Sequence, residues 1–308
     1  MFRLLEISDQ AVRLSLTEEC LVVTAHSGEV LRRVPLEELD TLLLSNPRVS
    51  LTGALLGALG KRRIAVVCCN LNYLPTSCLQ PVFVGCLAHQ GLLAAQFGLS
   101  QPQRKRLWQE IVRRKIQGQA EVLRQYRASG VLDLVYRRVR SGDVDNVESQ
   151  AAVIYWKTLK VFARRDRFAQ DANQFFNYAY TILFAATARY LCAHGLHPQL
   201  GLQHCNPHNP FCLASDLMEA YRPLADWCVL ALMPEVEDVS HLSAEHRRRL
   251  CQALYGQKVV LGKQGTVALF DAIEKTSLGF RSFLLGKCSV KELPLPCFSE
   301  CHQECLCG

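Results

Sequence analysis

The hydrophobic period of this sequence changes once, near residue 100, and that change constrains the fold more than any other feature. Before it, the short runs FRLLEI (from Phe2), VRLSLT (Val12), CLVVTA (Cys20), VLRRVP (Val30) and IAVVCC (Ile64) are separated by Ser-Gly, Asn-Pro and glycine-rich breaks, the pattern of short strands. One helix is expected among them, over Val49 to Gly60, a compact Leu/Ala-rich segment that stops at glycine before Lys61, Arg62 and Arg63. Beyond residue 100, Trp108, Ile111, Val112, Ile116, Val122, Leu123 and Tyr126 recur at helical spacing, while Arg104, Lys105, Arg106, Arg113, Arg114, Lys115, Arg124 and Arg127 fill the other face. Strands followed by helices predict an α+β chain. Its expected parts are a small β-rich N-terminal domain over 1–88, a larger all-helical domain over 89–292, and an unstructured Cys-rich tail over 293–308.

Hydrophobic residues make up 49% of the 308 and charged residues 20%, a globular balance that excludes wholesale disorder. The least polar stretch, Thr181 to Ala193, contains Arg189 and falls short of the roughly 18 apolar residues of a membrane span. Arg3, Glu6 and Asp9 interrupt any apolar signal region near the start. Fifteen cysteines, an odd number, cannot all pair within one chain, and Cys68, Cys69, Cys86 and Cys228 sit inside apolar runs where thiols act as small hydrophobes. The expected setting is therefore a reducing cytoplasm.

The net charge of +7 is unevenly spread. Residues 1–88 hold 8 basic and 8 acidic side chains, whereas 101–190 hold 17 basic against 8 acidic. An excess concentrated in one helical stretch suits a polyanion-binding face, although a solvated helix surface gives the same pattern.

Three segments of the helical half carry groups with metal-binding chemistry. In DNVESQAAVIYW (145–156), Asn146 reads as the N-cap of a helix with Glu148 in its first turn. GLQHCNPHN (201–209) places His204 and His208 in a loop punctuated by Gly, Asn and Pro. In FCLASDLMEAYRP (211–223), Asp216 and Glu219 share one helix face among Leu213, Leu217, Met218 and Tyr221, apolar enough for burial. Carboxylates with one imidazole suit Mg²⁺ or Mn²⁺. Spacing alone also allows a non-catalytic, basic DNA-binding scaffold in which these residues are caps and buried hydrogen-bonding groups.

The segments NVESQAAVIYW, FFNYAYTIL with Asn177 and Tyr178, and GLQHCNPHNPFCLASDLMEAYRP resemble those of the CRISPR-associated integrases, the Cas1 family, most closely the form that accompanies Cas9 in type II systems. The resemblance implies a DNA endonuclease and integrase of CRISPR adaptation, which inserts double-stranded prespacer DNA at the CRISPR repeat by 3′-hydroxyl attack on a phosphodiester. It maps the catalytic metal ligands onto Glu148, His204 and Glu219, with Asp216 as a nearby fourth carboxylate, and implies Mg²⁺ or Mn²⁺ as cofactor. It also implies a homodimer with the N-terminal domain as assembly platform, a complex with the small Cas2 partner, and Cas9 as a further partner. Ser149 and Gln150 after the glutamate, and Gln203 before the histidine, depart from the family pattern without removing a ligand.

Under that reading, Arg104, Lys105, Arg106, Arg113, Arg114, Arg137, Arg138, Arg164, Arg165 and Arg167 become candidate contacts to DNA phosphates. Tyr155, Trp156, Phe175, Phe176 and Tyr178 are expected in the core. The tail cysteines Cys297, Cys301, Cys305 and Cys307 with His302 lack the paired spacing of a structural zinc site.

Overall fold

The computed structural model describes residues 4–8, 10–71, 73–79, 89–126, 130–161, 166, 168–169, 171–204, 206 and 209–298. It divides into two compact units, Met1–Gly85 and Cys86–Gly308.

Among its described residues the first unit contains two four-stranded sheets. In one, β1 (Leu4–Ile7), β5 (Thr41–Leu44) and β7 (Ala65–Cys69) run parallel and β8 (Pro75–Leu79) closes the edge antiparallel. In the other the order is β4 (Val30–Pro35), β3 (Cys20–Ala25), β2 (Val12–Thr17), β6 (Ser50–Leu51). The β2–β3 hairpin turns through Glu18 and Glu19, both at positive φ, the left-handed pair that a two-residue turn between twisted strands requires. Leu5, Leu14, Leu21, Leu42, Leu55, Leu59 and Val66 form its core. The strand β5, TLLL, carries no alternation because it is buried along its whole length, which hides it from a period-based reading. The expected helix over 49–60 is shorter at its start. Ser50 and Leu51 pair with β2, and α1 (Gly53–Lys61) begins after Thr52, whose Oγ1 accepts from Leu55 N.

The second unit is helical: α2 (His89–Phe97), α3 (Gln101–Gln125), α4 (Val147–Leu159), α5 (Asn173–Ala193), α6 (Cys212–Met218), α7 (Arg222–Leu232), α8 (Ala244–Gly256) and α9 (Leu269–Leu284), with a hairpin of β9 (Lys258–Val260) and β10 (Thr266–Ala268) before α9. Ser100 and Gln103 form a capping box that starts α3. The apolar stripe Trp108, Ile111, Val112, Ile116, Val122 and Leu123 is buried as its spacing predicts, but Tyr126, expected to continue it, is 41% exposed just past the end of the helix. At Gly118 an added Cβ would lie 2.8 Å from atoms of Pro223 and Phe298, so the missing side chain permits the close approach of α3 to the start of α7. Among the described residues no helix is long and apolar enough to cross a membrane.

The segment after residue 292 does not begin as the unstructured tail expected from its composition. Leu293 and Leu295 are buried, Pro294 O accepts from Thr276 Oγ1, and Cys297 N donates to Val260 O at 2.8 Å. Cys301, His302, Cys305 and Cys307 lie outside the described residues.

Candidate active site

Glu148 stands on the first turn of α4. Asn146, expected as its cap, adopts a left-handed conformation and makes no capping bond. The preceding Asp143 does this instead, its two oxygens accepting from Val147 N at 2.9 Å and Glu148 N at 3.0 Å. An acceptor three residues before the expected one reaches these amides because Gly142 and Asp143 both turn through positive φ.

Glu219 follows α6 in a 3₁₀ turn, Glu219–Tyr221, and is 3% exposed. Between it and Glu148 lies Lys115 of α3, whose Nζ is 2.5 Å from Glu148 Oε1 and 2.6 Å from Glu219 Oε2. Arg222 Nη1 takes the other Glu219 oxygen at 3.1 Å, and its guanidinium stacks 4.7 Å from the Tyr180 ring centroid. Tyr180 and Tyr155 in turn donate to Asp226. Burial opposes ionisation of Glu219, yet Arg222 and Lys115 hold its carboxyl below the ordinary range. Burial likewise opposes the Lys115 charge, and Glu219 and Glu148 overcome it, raising the ammonium pKa. The α3 pattern put Lys115 on the polar face, but it is buried at 7% exposure. Its position four residues after Ile111 and beside Ile116 was the available signal, masked by its charge.

His204 approaches from the loop before α6. Its Nδ1 lies 2.5 Å from Oδ1 of the fully buried Asp216, which also accepts from the backbone N–H groups of Leu202, Gln203 and His204. With Nδ1–H donating, Nε2 carries the lone pair. The Asp216 bond raises the imidazole pKa against the opposing effect of burial. Trp108 packs edge-on against the ring at 5.8 Å. Gly201 is required here, since a Cβ would be 2.9 Å from Asp216 Oδ2 and in collision with His204 O. His208 lies outside the described residues.

Among the described residues no three or more His, Cys, Asp or Glu side chains are gathered tightly enough to hold a metal ion. The donor set nevertheless suits a hard divalent cation. Glu219 Oε2 is buried without a hydrogen bond of normal geometry, facing an ammonium, and a positive charge already stands between the two glutamates. Asp216 is committed to loop amides and His204, so it serves the imidazole rather than presenting free oxygens.

The basic residues have varied surroundings. Arg113, Arg114 and Arg137 line a cavity of about 460 Å³ with Glu110, Gln117 and Tyr136. Nε of Arg113 and of Arg114 is buried without a hydrogen bond. Arg104 instead donates to Leu99 O and Phe97 O at the end of α2. Lys105, Arg106 and Arg138 are exposed, Arg138 reaching Gln150 at 3.4 Å. Arg164, Arg165 and Arg167 lie outside the described residues.

The model of the family described as CRISPR associated protein Cas1 matches residues 5–241. The chain belongs to that family. A CRISPR-associated endonuclease Cas1 of Neisseria meningitidis serogroup C (strain 8013) is 34% identical over 289 residues, covering 92% of each chain. A Cas1 endonuclease of Pyrobaculum aerophilum is 28% identical over 85% of this chain and 94% of its own. In fold, the chain is similar to a Cas1 protein from Thermotoga maritima, at TM-score 0.76, 17% identity and coverage of 92% and 98% of the two chains. It is equally similar to a casposase bound to integration product, at TM-score 0.78, 17% identity, 94% and 92%. The strand-rich first unit and helical second unit are thus those of the Cas1 fold.

Proposed function

We propose that this Cas1 protein is a divalent-metal-dependent DNA endonuclease and integrase of CRISPR adaptation. The observation that carries the reading is the meeting of Glu148 and Glu219, from separate helical segments, around one buried positive charge, with His204 held beside them by Asp216. Glu148, Glu219 and Nε2 of His204 would hold Mg²⁺ or Mn²⁺, which when bound supplies charge neutralisation at the phosphoryl group.

The reaction is transesterification. A 3′-hydroxyl of the prespacer attacks a phosphodiester at the repeat boundary and gives up its proton, a new P–O bond forms, the bond to the displaced 3′-oxygen breaks, and that oxygen takes up a proton. No protein nucleophile is needed. Arg222 keeps Glu219 anionic, Asp216 fixes the imidazole tautomer, and the groove of Arg113, Arg114 and Arg137 offers charge to the phosphate backbone. With water in place of the 3′-hydroxyl, the same groups support hydrolysis. Solved structures similar in fold include a Cas6-RT-Cas1–Cas2 complex and a Cas1–DNA complex from Cas1 relatives. By analogy the partners here are prespacer and repeat DNA and Cas2, with a homodimer as the unit and Cas9 as a further partner.

Glu148→Ala is expected to abolish Mn²⁺-dependent strand transfer of a labelled duplex into a repeat-bearing plasmid while DNA binding persists. Undiminished transfer would refute the assignment.

A further inference from the structure

The cation between Glu148 and Glu219 belongs to the protein itself. We propose that the Lys115 ammonium is a built-in counter-ion that occupies the cation position of this site, so that a divalent ion and Lys115 compete for the same two glutamates. The inference rests on the metal site proposed above.

Lysine is seldom buried unless paired, and Lys115 is paired twice, at 2.5 and 2.6 Å, with carboxylates from two different helical segments. It reaches them from the middle of α3, between Ile111 and Ile116 on the buried stripe, where a lysine has no advantage for packing. The two carboxylates repel each other, and the ammonium held between them offsets that repulsion. The charges also balance. Glu148 and Glu219 are matched by Lys115 and Arg222, and the His204 imidazole is held by its own carboxylate, Asp216. A divalent ion entering this arrangement would leave two surplus positive charges.

Arg222 is fixed by Glu219 Oε1 and the Tyr180 ring, so it is the poorer candidate to withdraw. Lys115 contacts the oxygens that face the gap, and its ammonium rides on a flexible four-carbon stem. Its withdrawal removes one of the two surplus charges and frees one oxygen from each glutamate. Lys115 thereby keeps the site folded before loading and lowers its affinity for metal.

The test is Mn²⁺ binding to the full-length protein, read at fixed pH from the electron paramagnetic resonance signal of free aqueous Mn²⁺, alongside thermal unfolding in EDTA and in saturating Mn²⁺. Lys115→Met keeps much of the stem and removes the charge. It is expected to bind Mn²⁺ at least about tenfold more tightly than wild type, to unfold at a lower temperature in EDTA, and to gain more from Mn²⁺ than wild type does, since a ligand stabilises in proportion to the logarithm of its concentration over Kd. Lys115→Arg, which keeps the charge, is expected to bind no more tightly than wild type.

A Lys115→Met protein that folds with Mn²⁺ and unfolds on chelation also supports the proposal. Equal or weaker Mn²⁺ binding by Lys115→Met overturns it, as does failure of saturating Mn²⁺ to restore its fold. Glu219→Ala separates the two levels. If wild-type Mn²⁺ binding survives Glu219→Ala, the site assignment itself falls. If Glu219→Ala abolishes binding and Lys115→Met does not strengthen it, the competition alone falls.

Discussion

Asp216 Oδ1 lies 2.5 Å from His204 Nδ1 while Asp216 Oδ2 accepts from Leu202 N, so one buried carboxylate sets both the imidazole and the loop that carries it. Asp216→Asn preserves the size of the side chain but weakens acceptance from the loop amides and the grip on Nδ1–H. Strand transfer is expected to fall about 10- to 100-fold, the usual effect of losing a group that orients a metal-binding histidine. DNA affinity in a filter-binding or anisotropy assay should be unchanged. A parallel loss of DNA binding would mean that the loop had collapsed rather than the imidazole turned.

The same pair gives the metal-free protein a defined pH response. His204 has its pKa raised by the Asp216 bond, so its protonated form is favoured by folding. A raised folded-state pKa stabilises fully below the unfolded value of about 6.5 and loses that stability as pH rises through the folded value. The excess melting temperature of wild type over His204→Gln, measured in EDTA, is therefore expected to be largest near pH 5.5 and to shrink toward pH 8. Nearly half of the imidazole is exposed, so the effect should be small and salt-sensitive. A difference that grows with pH would contradict the assignment.

Much of the helical framework was legible because it is written in spacing. Trp108, Ile111, Val112 and Ile116 announce the buried side of α3, and Asp216 and Glu219 among leucines announce a buried acidic pair. Lys115 was not legible, since a lysine on an apolar stripe looks like an error of phase until its two partners are seen. Asp143 was missed for a local reason: the cap sits within a positive-φ turn that spacing does not reveal. Glu148, His204 and Glu219 had to be drawn together by family resemblance, because each stands on a different segment and only tertiary packing relates them.

The basic groove invites a salt-dependence measurement. Arg114 and Arg137 line the same cavity from α3 and from the 3₁₀ turn Val135–Arg138. If both neutralise duplex phosphates, Arg114→Gln with Arg137→Gln should reduce the slope of log affinity against log salt by about 2, at roughly 0.9 per phosphate contact. The unfolding temperature is expected to change little. An unchanged slope would assign these residues to the solvated surface.

The docked segment after residue 292 bears on the same framework. Thr276 donates to Pro294 O and accepts from Tyr221 Oη at 2.6 Å, and Tyr221 Oη also lies 3.0 Å from Ala272 O. Tyr221 directly precedes Arg222 in the chain, so the segment braces the turn that carries Glu219 and Arg222. Leu295 is 5% exposed, and Leu295→Ala is expected to cost about 2–5 kcal/mol, the range for emptying a buried leucine site. In a chain of this size each kcal/mol lowers the melting temperature by roughly 2–4 °C. The substitution should therefore be visible by calorimetry, with Mn²⁺-dependent strand transfer retained well below the new transition. A melting temperature equal to wild type would mean that α9 and the β9–β10 hairpin hold their places without the segment.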